Sequence, residues 1–217
     1  MAPTRTRREI LRLLAGFRRF HRKFYQEGKP SILGLSQRGQ TPKTLIIACS
    51  DSRVDPAILS SANPGELFVI RNVANLVPPF ESGSGFHGVS AAIEFAVVNL
   101  KVQNIVILGH RQCGGIRSLF QAEPVKKSGF VSQWMSIAQK AYEKVKDRFP
   151  DASMELQCKE CEKESIRASM ENLMTFPFVQ EAKSYRGLSI LGLYFDLELG
   201  QLWELDDEWK EFSQIVL

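Results

Sequence analysis

One pattern, met twice, constrains the fold more than any other. A short apolar run, Leu45-Ile46-Ile47-Ala48, leads into Cys49-Ser50-Asp51-Ser52-Arg53. A second run, Ile105-Val106-Ile107-Leu108, leads into Gly109-His110-Arg111-Gln112-Cys113-Gly114-Gly115. Short apolar runs bounded by polar turns read as buried strands, and each is followed by a segment able to start a helix. In sheets of this kind, ligands bind beyond the carboxyl ends of the strands. The chain must therefore bring together two strand ends that carry Cys, His, Asp and Arg.

The remaining segments supply layers around those two strands. Strands are expected at residues 44–48, 66–70, 104–109 and 188–197, with a further one at 201–205 across the Glu198-Leu199-Gly200 turn. Helical patterns occupy residues 32–37, 89–100, 130–148 and 154–174. Asp55-Pro56 forms an N-cap and first-turn pair, and Gly114-Gly115 is read as the tight turn into a helix through Phe120. Strands alternating with helices predict an α/β fold. Its central sheet is mainly parallel, four parallel strands plus an antiparallel fifth, and is flanked by helices. No repeat or linker interrupts the chain, so residues 1–217 are expected to form a single domain.

Charge is unevenly distributed. Residues 1–23 hold eight of the 28 basic residues and one of the 24 acidic ones. The rest of the chain keeps 20 and 23, a net charge of about −3, which gives no footprint for nucleic acid. Within that basic start, Ile10, Leu13, Leu14, Phe17, Phe20 and Phe24 fall on one helical face. Such a helix also suits a membrane surface or a transit peptide, but the reading adopted is packing on its own domain or on a partner subunit. The Glu27-Gly28-Lys29-Pro30 break ends the helix. No apolar run approaches the roughly 20 residues of a membrane span, and no signal-peptide pattern is visible. The expected compartment is cytoplasmic, where thiols stay reduced and cysteines serve metals or catalysis before disulfides.

Zinc prefers thiolate and imidazole in a tetrahedron, and three protein ligands leave one position open, as catalytic sites do. Cys49, His110 and Cys113 supply that set if the two strands are neighbours, since parallel strands lie about 4.8 Å apart. Without their flanks, these residues would equally suit a packed core, with two small buried thiols and a hydrogen-bonded imidazole. Asp51 and Arg53 argue otherwise. An acid and an arginine at a strand end are costly to bury without a purpose, and a bidentate pair would hold Asp51 ionised. A cysteine-phosphatase loop fits poorly, because only three residues separate Cys49 from Arg53 and Asp51 would repel phosphate. Gly83-Ser84-Gly85-Phe86-His87-Gly88 matches a dinucleotide motif in letters only, since Pro78-Pro79 rather than a strand precedes it. Cys158-Lys159-Glu160-Cys161 lies within a helical pattern with no second pair, so it reads as structural.

These residues together resemble the β-class carbonic anhydrases. The resemblance rests on Cys49-Ser50-Asp51-Ser52-Arg53, on Pro64-Gly65-Glu66-Leu67-Phe68-Val69-Ile70-Arg71-Asn72-Val73-Ala74-Asn75, on Gly109-His110-x-x-Cys113-Gly114-Gly115, and on Asn172-Leu173-Met174-Thr175-Phe176-Pro177. It spans about residues 30–205. It implies a lyase that reversibly hydrates carbon dioxide to bicarbonate and a proton by zinc-bound hydroxide, with one Zn2+ per chain on Cys49, His110 and Cys113. Asp51 and Arg53 would be the catalytic dyad. Gln40, Phe68, Val73, Phe95 and the Gly114 amide would contact substrate, and Gln40 with Val73 implies the always-open form of the site. The resemblance also implies a homodimer, or a homotetramer assembled from dimers, with residues 1–28 as a dimer-embracing helix.

The pattern departs from plant-type members at Phe95, where they carry tyrosine, and at Asn99, where they carry histidine. Those groups are associated with substrate contact and proton export, so His87 becomes a substitute relay to consider. Two alternatives share the scaffold: hydrolysis of carbonyl sulfide or carbon disulfide, and a non-catalytic bicarbonate-binding relative.

Overall fold

The computed structural model describes residues 5–26, 31–81, 87–121, 129–206 and 208–216. The chain divides into two compact units, residues 1–41 and 42–217. In the first, α1 (Arg5–His21) runs into a wide π-type turn at Arg22–Gln26, and α2 (Ser31–Arg38) follows. The expected apolar stripe forms, with the Phe20 and Phe24 rings 4.9 Å apart. Most of its residues are exposed, Leu13 by 70%. The expected break at residues 27–30 lies outside the described residues.

The second unit is built on a six-stranded sheet of order β2-β1-β3-β4-β5-β6. Its strands are β1 (Thr44–Cys49), β2 (Leu67–Asn72), β3 (Asn104–His110), β4 (Ser189–Asp196), β5 (Gln201–Leu205) and β6 (Phe212–Gln214). The first four are parallel, and the last two pair antiparallel. The five expected strands are all present, and β6 is added to them. It was not anticipated because Phe212-Ser213-Gln214 is short and largely exposed, with no alternation to read.

Helices cover the sheet: α3 (Pro56–Ser60), α4 (Gly88–Glu94), α5 (Gly114–Ser118), α6 (Phe130–Met135), α7 (Gln139–Arg148), α8 (Met154–Leu173) and α9 (Pro177–Arg186). The segment expected as one helix at 130–148 is broken by a 3-10 turn at Ser136–Ala138. The 89–100 helix widens to a π-type turn over Phe95–Asn99. Helix α9 was not anticipated, although its signals are ordinary: Pro177 in its first turn and Gly187 at φ 67° beyond its end.

Alternation along β1 and β3 splits the core. Leu45, Ile47, Ile105 and Ile107 point to one face, where they meet Ile93 and Val97 of the α4 segment and Ile166 and Met170 of α8. Ile46, Ala48, Val106 and Leu108 point to the other. At about 1.5–3 kcal/mol for each fully buried aliphatic side chain, this packing fixes the register of the two strands firmly. Register matters because the chain passes from β1 to β2 on one side and then crosses to β3 on the other. The crevice beyond the carboxyl ends of β1 and β3 is therefore the switch point of the sheet.

Candidate metal centre

Neighbouring strands β1 and β3 deliver the three metal-capable side chains to that crevice. Cys49 ends β1, His110 ends β3, and Cys113 is the N-cap of α5. Their ligand atoms all lie within 4.8 Å of one another, and theirs is the one such group of His, Cys, Asp or Glu among the described residues. All three residues are buried. The two sulfurs are 4.0 Å apart, against about 3.8 Å for two thiolates on a tetrahedral zinc with bonds near 2.3 Å.

His110 gives the sharpest sign that the group suits a cation. Its Nδ1 lies 2.8 Å from the Arg111 carbonyl oxygen. That contact makes Nδ1 the protonated nitrogen, donating to the carbonyl, and turns the Nε2 lone pair inward. Nε2 is buried with no hydrogen-bond partner, a rare condition for a polar atom inside a protein. Burial disfavours a charge on this ring, but the attraction of the Cys49 sulfur outweighs it and raises the imidazole above its ordinary value. The two sulfurs are within hydrogen-bond distance of each other. The hydrogen bond from Cys113 holds Cys49 well below the usual thiol range, and the same bond together with burial pushes Cys113 up. Two sulfurs and an imidazole that compete for protons in a closed space are a donor set suited to a soft divalent cation.

The loop after Cys49 is pinned by a residue to which the sequence reading assigned no role. Arg71, near the end of β2, donates to the carbonyl oxygens of Cys49 (3.0 Å) and Asp51 (2.6 Å) and to the Asp55 carboxylate (3.0 Å). Asp55 caps α3 as expected. A strained turn follows β2. Ala74 and Asn75 both adopt positive φ, held by paired bonds between the Asn72 side chain and the Leu76 backbone. This conformation aims the Ala74 N–H at the Cys49 sulfur, 3.4 Å away. Backbone strain of this kind, over-determined by its surroundings, gathers at functional sites.

Asp51 and Arg53 pair as expected. Arg53 donates from Nε and its backbone N–H to Asp51 Oδ1 (3.0 and 2.9 Å) and from Nη2 to Oδ2 (2.8 Å). The guanidinium holds the Asp51 carboxyl well below the usual carboxylate range. The other side of the guanidinium rests on Gln112, a further residue that sequence reasoning passed over. Gln112 has φ 59°, whereas neither Gly114 nor Gly115 is left-handed. The left-handed residue of this turn is therefore Gln112, and the expectation that the glycine pair makes the tight turn is corrected. Gly115 is small for packing reasons, since a Cβ there would meet Val73 at 2.8 Å.

The remaining expected site residues divide. Val73 borders a cavity of about 780 Å3 together with His87 and Trp134, and the Trp134 indole N–H donates to the Val73 carbonyl. Gly114 opens α5 beside Cys113. Phe68 and Phe95 do not join the cluster within one chain. Their rings lie 6.0 Å from each other, but Phe68 pairs with Leu45, four residues before Cys49. That is roughly 13 Å down the strand from the crevice. Gln40 is exposed in the N-terminal unit. Cys158 and Cys161 are buried free thiols on α8, as expected of a structural pair. Residues 83–86 of the glycine-containing loop lie outside the described residues.

A family model described as carbonic anhydrase matches residues 44–202. Beta carbonic anhydrase 3 of Arabidopsis thaliana is 38% identical over 202 residues, covering 91% of this chain and 78% of that protein. Among solved structures, the β-carbonic anhydrase CcaA superposes with a TM-score of 0.86 at 29% identity, covering 95% of this chain and all of the other. A structure from work on two tetrameric β-carbonic anhydrases of the ascomycete Sordaria macrospora gives 0.79 at 27% identity, covering 92% and 96%.

Proposed function

The chain belongs to the β-class carbonic anhydrases, an enzyme family, and we propose that it reversibly hydrates carbon dioxide to bicarbonate and a proton. Cys49, His110 and Cys113 would hold one zinc ion per chain. The observation that carries this reading is the buried, unpartnered His110 Nε2 facing two sulfurs 4.0 Å apart.

Zinc bound there supplies acidity, lowering the pKa of water from 15.7 to about 7 so that hydroxide is available at neutral pH. The chain's own groups do the rest. An ionised carboxylate offers about four acceptor positions. Arg53 fills two on Oδ1 and one on Oδ2. One lone pair of Asp51 Oδ2 therefore remains to accept a hydrogen bond from the attacking water and orient it. Because both carboxylate oxygens are engaged by Arg53, Asp51 is held away from the metal position, which favours the open form of the site. Val73 provides an apolar wall suited to a nonpolar gas, and the Gly114 amide a donor to bicarbonate.

Gln40, Phe68 and Phe95 would serve the site of a second copy. The separation of Phe68 and Phe95 from the crevice supports this, and so does the exposed stripe of α1, which presents apolar surface of the kind that marks an interface. A homodimer, or dimers assembled into a tetramer, follows, with residues 1–217 acting as one functional domain and residues 1–28 embracing the partner. Four free thiols suit a reducing, cytoplasmic setting. Stopped-flow hydration assays with metal analysis test the proposal. We expect one zinc per chain and turnover that a chelator abolishes. A zinc-loaded chain that leaves carbon dioxide untouched would overturn it, and hydrolysis of carbonyl sulfide would then be the next reaction to assay.

A further inference from the structure

Helix α8 carries five glutamates, at positions 155, 160, 162, 164 and 171. One of them, Glu162, points inward and is 3% exposed. Burial pushes its carboxyl up to about 7, against the hydrogen bonds it accepts. Among the described residues it makes no ion pair. A buried acid without a cationic partner is costly, so its partners indicate what it is for. Its Oε1 accepts the backbone N–H of Cys113 at 2.9 Å, and its Oε2 accepts the Tyr194 hydroxyl at 3.0 Å. Tyr194 is fully buried on β4 and pairs in register with Gly109, the residue before His110.

Glu162 thus ties one end of the His110–Cys113 turn to the strand beside the other end. That turn needs restraint. It changes direction through Gln112 at φ 59°, a strained backbone for a residue with a Cβ. It also presents two of the three metal-capable atoms. We propose that Glu162, anchored by Tyr194, is a positioning residue for the metal: as a hydrogen-bond acceptor it holds Cys113 where its sulfur completes the cluster. This inference rests on the zinc reading above and goes beyond it by assigning the group behind the ligand.

The test is zinc affinity, measured by competition with a chromophoric chelator, together with the cobalt–thiolate absorption of the cobalt-substituted protein. Outer residues that orient metal ligands typically contribute 10–100-fold in affinity. Glu162→Leu, which fills the space and accepts nothing, should weaken zinc binding by about that factor and shift the cobalt band. Glu162→Gln keeps an acceptor for the Cys113 N–H and should stay within about threefold of wild type with an unaltered band. Tyr194→Phe, which frees only Oε2, should fall between the two and decides the matter if the leucine variant does not fold. Wild-type zinc affinity in Glu162→Leu or in Tyr194→Phe would overturn the proposal. So would a glutamine variant as weak as the leucine one, since the charge and not the acceptor would then be at work. A wild-type protein that takes up no zinc would instead defeat the underlying metal reading.

Discussion

Cys49, His110 and Cys113 are 6%, 1% and 1% exposed. Asp51 and Arg53, only two and four residues past Cys49, present 19% and 48% of their side chains to solvent. The first group is held by the sheet: Cys49 and His110 end strands whose register is set by buried aliphatic side chains, Cys113 caps the helix that follows, and the geometry comes with the fold. The second is held by hydrogen bonds, from Arg71 to the loop backbone and from Arg53 to the carboxylate. One region offers a donor set suited to a cation, and the other keeps a carboxylate charged. Damage to the two regions should therefore register in different measurements.

The largest effect is expected from Cys49→Ser, which should lower zinc affinity by at least about two orders of magnitude and remove hydration with it, since the thiolate is a direct ligand. Retained metal with lost turnover would erase the distinction. Asp51→Ala should do the reverse. Zinc content should stay near one per chain while kcat/KM falls by about 10²–10⁴-fold, the usual range for a proton-handling group. Loss of zinc in this variant would place Asp51 with the ligands.

Deletion of residues 1–26 touches neither region directly. It should convert the oligomer to an aggregating or weakly active species, read by size-exclusion chromatography with light scattering, because it removes the apolar stripe expected to bury against a second copy. A soluble, fully active monomer would refute that role. Smaller again is the response to imidazole buffer. With Phe95 and Asn99 unable to relay a proton, added imidazole should raise turnover several-fold. A rate independent of buffer would show that another exit exists.

Both regions weaken as pH falls, but in different windows, and the response should be the smallest for the dyad. Arg53 depresses the Asp51 carboxyl, so the stability gained from the pair is fully present above the unfolded pKa of about 3.9 and is lost only as pH falls below that value. The ligands must shed protons to bind metal, so mild acid should release zinc while Asp51 is still ionised. Asp51→Asn should move the midpoint of zinc release by less than about half a unit. A larger shift would mean that the dyad contributes to retention.

How much of this could be read from the sequence follows from the same contrast. Strands β1 and β3 and the residues at their ends were legible because apolar runs stop abruptly at Cys, His, Asp and Arg. The Asp55-Pro56 cap and the Asp51–Arg53 pair were legible because their partners are near in sequence. Glu162 was not, because nothing in the helical pattern of α8 says which of its glutamates turns inward, and its partners lie 49 and 32 residues away. A tight turn is expected at Gly114-Gly115 because glycine gives the backbone the most freedom, whereas the left-handed residue is Gln112. Phe68 looks like a neighbour of the site in the family's motif but lies down strand β2 in the chain, with the Phe95 ring beside it.

Zinc K-edge X-ray absorption of the purified protein tests the central claim most directly. The account predicts two sulfur scatterers at about 2.3 Å and two lighter ones, one imidazole nitrogen and one exchangeable oxygen, at about 2.0–2.2 Å. A shell of four sulfurs, which would recruit Cys158 and Cys161, or a shell with no sulfur at all, would contradict it.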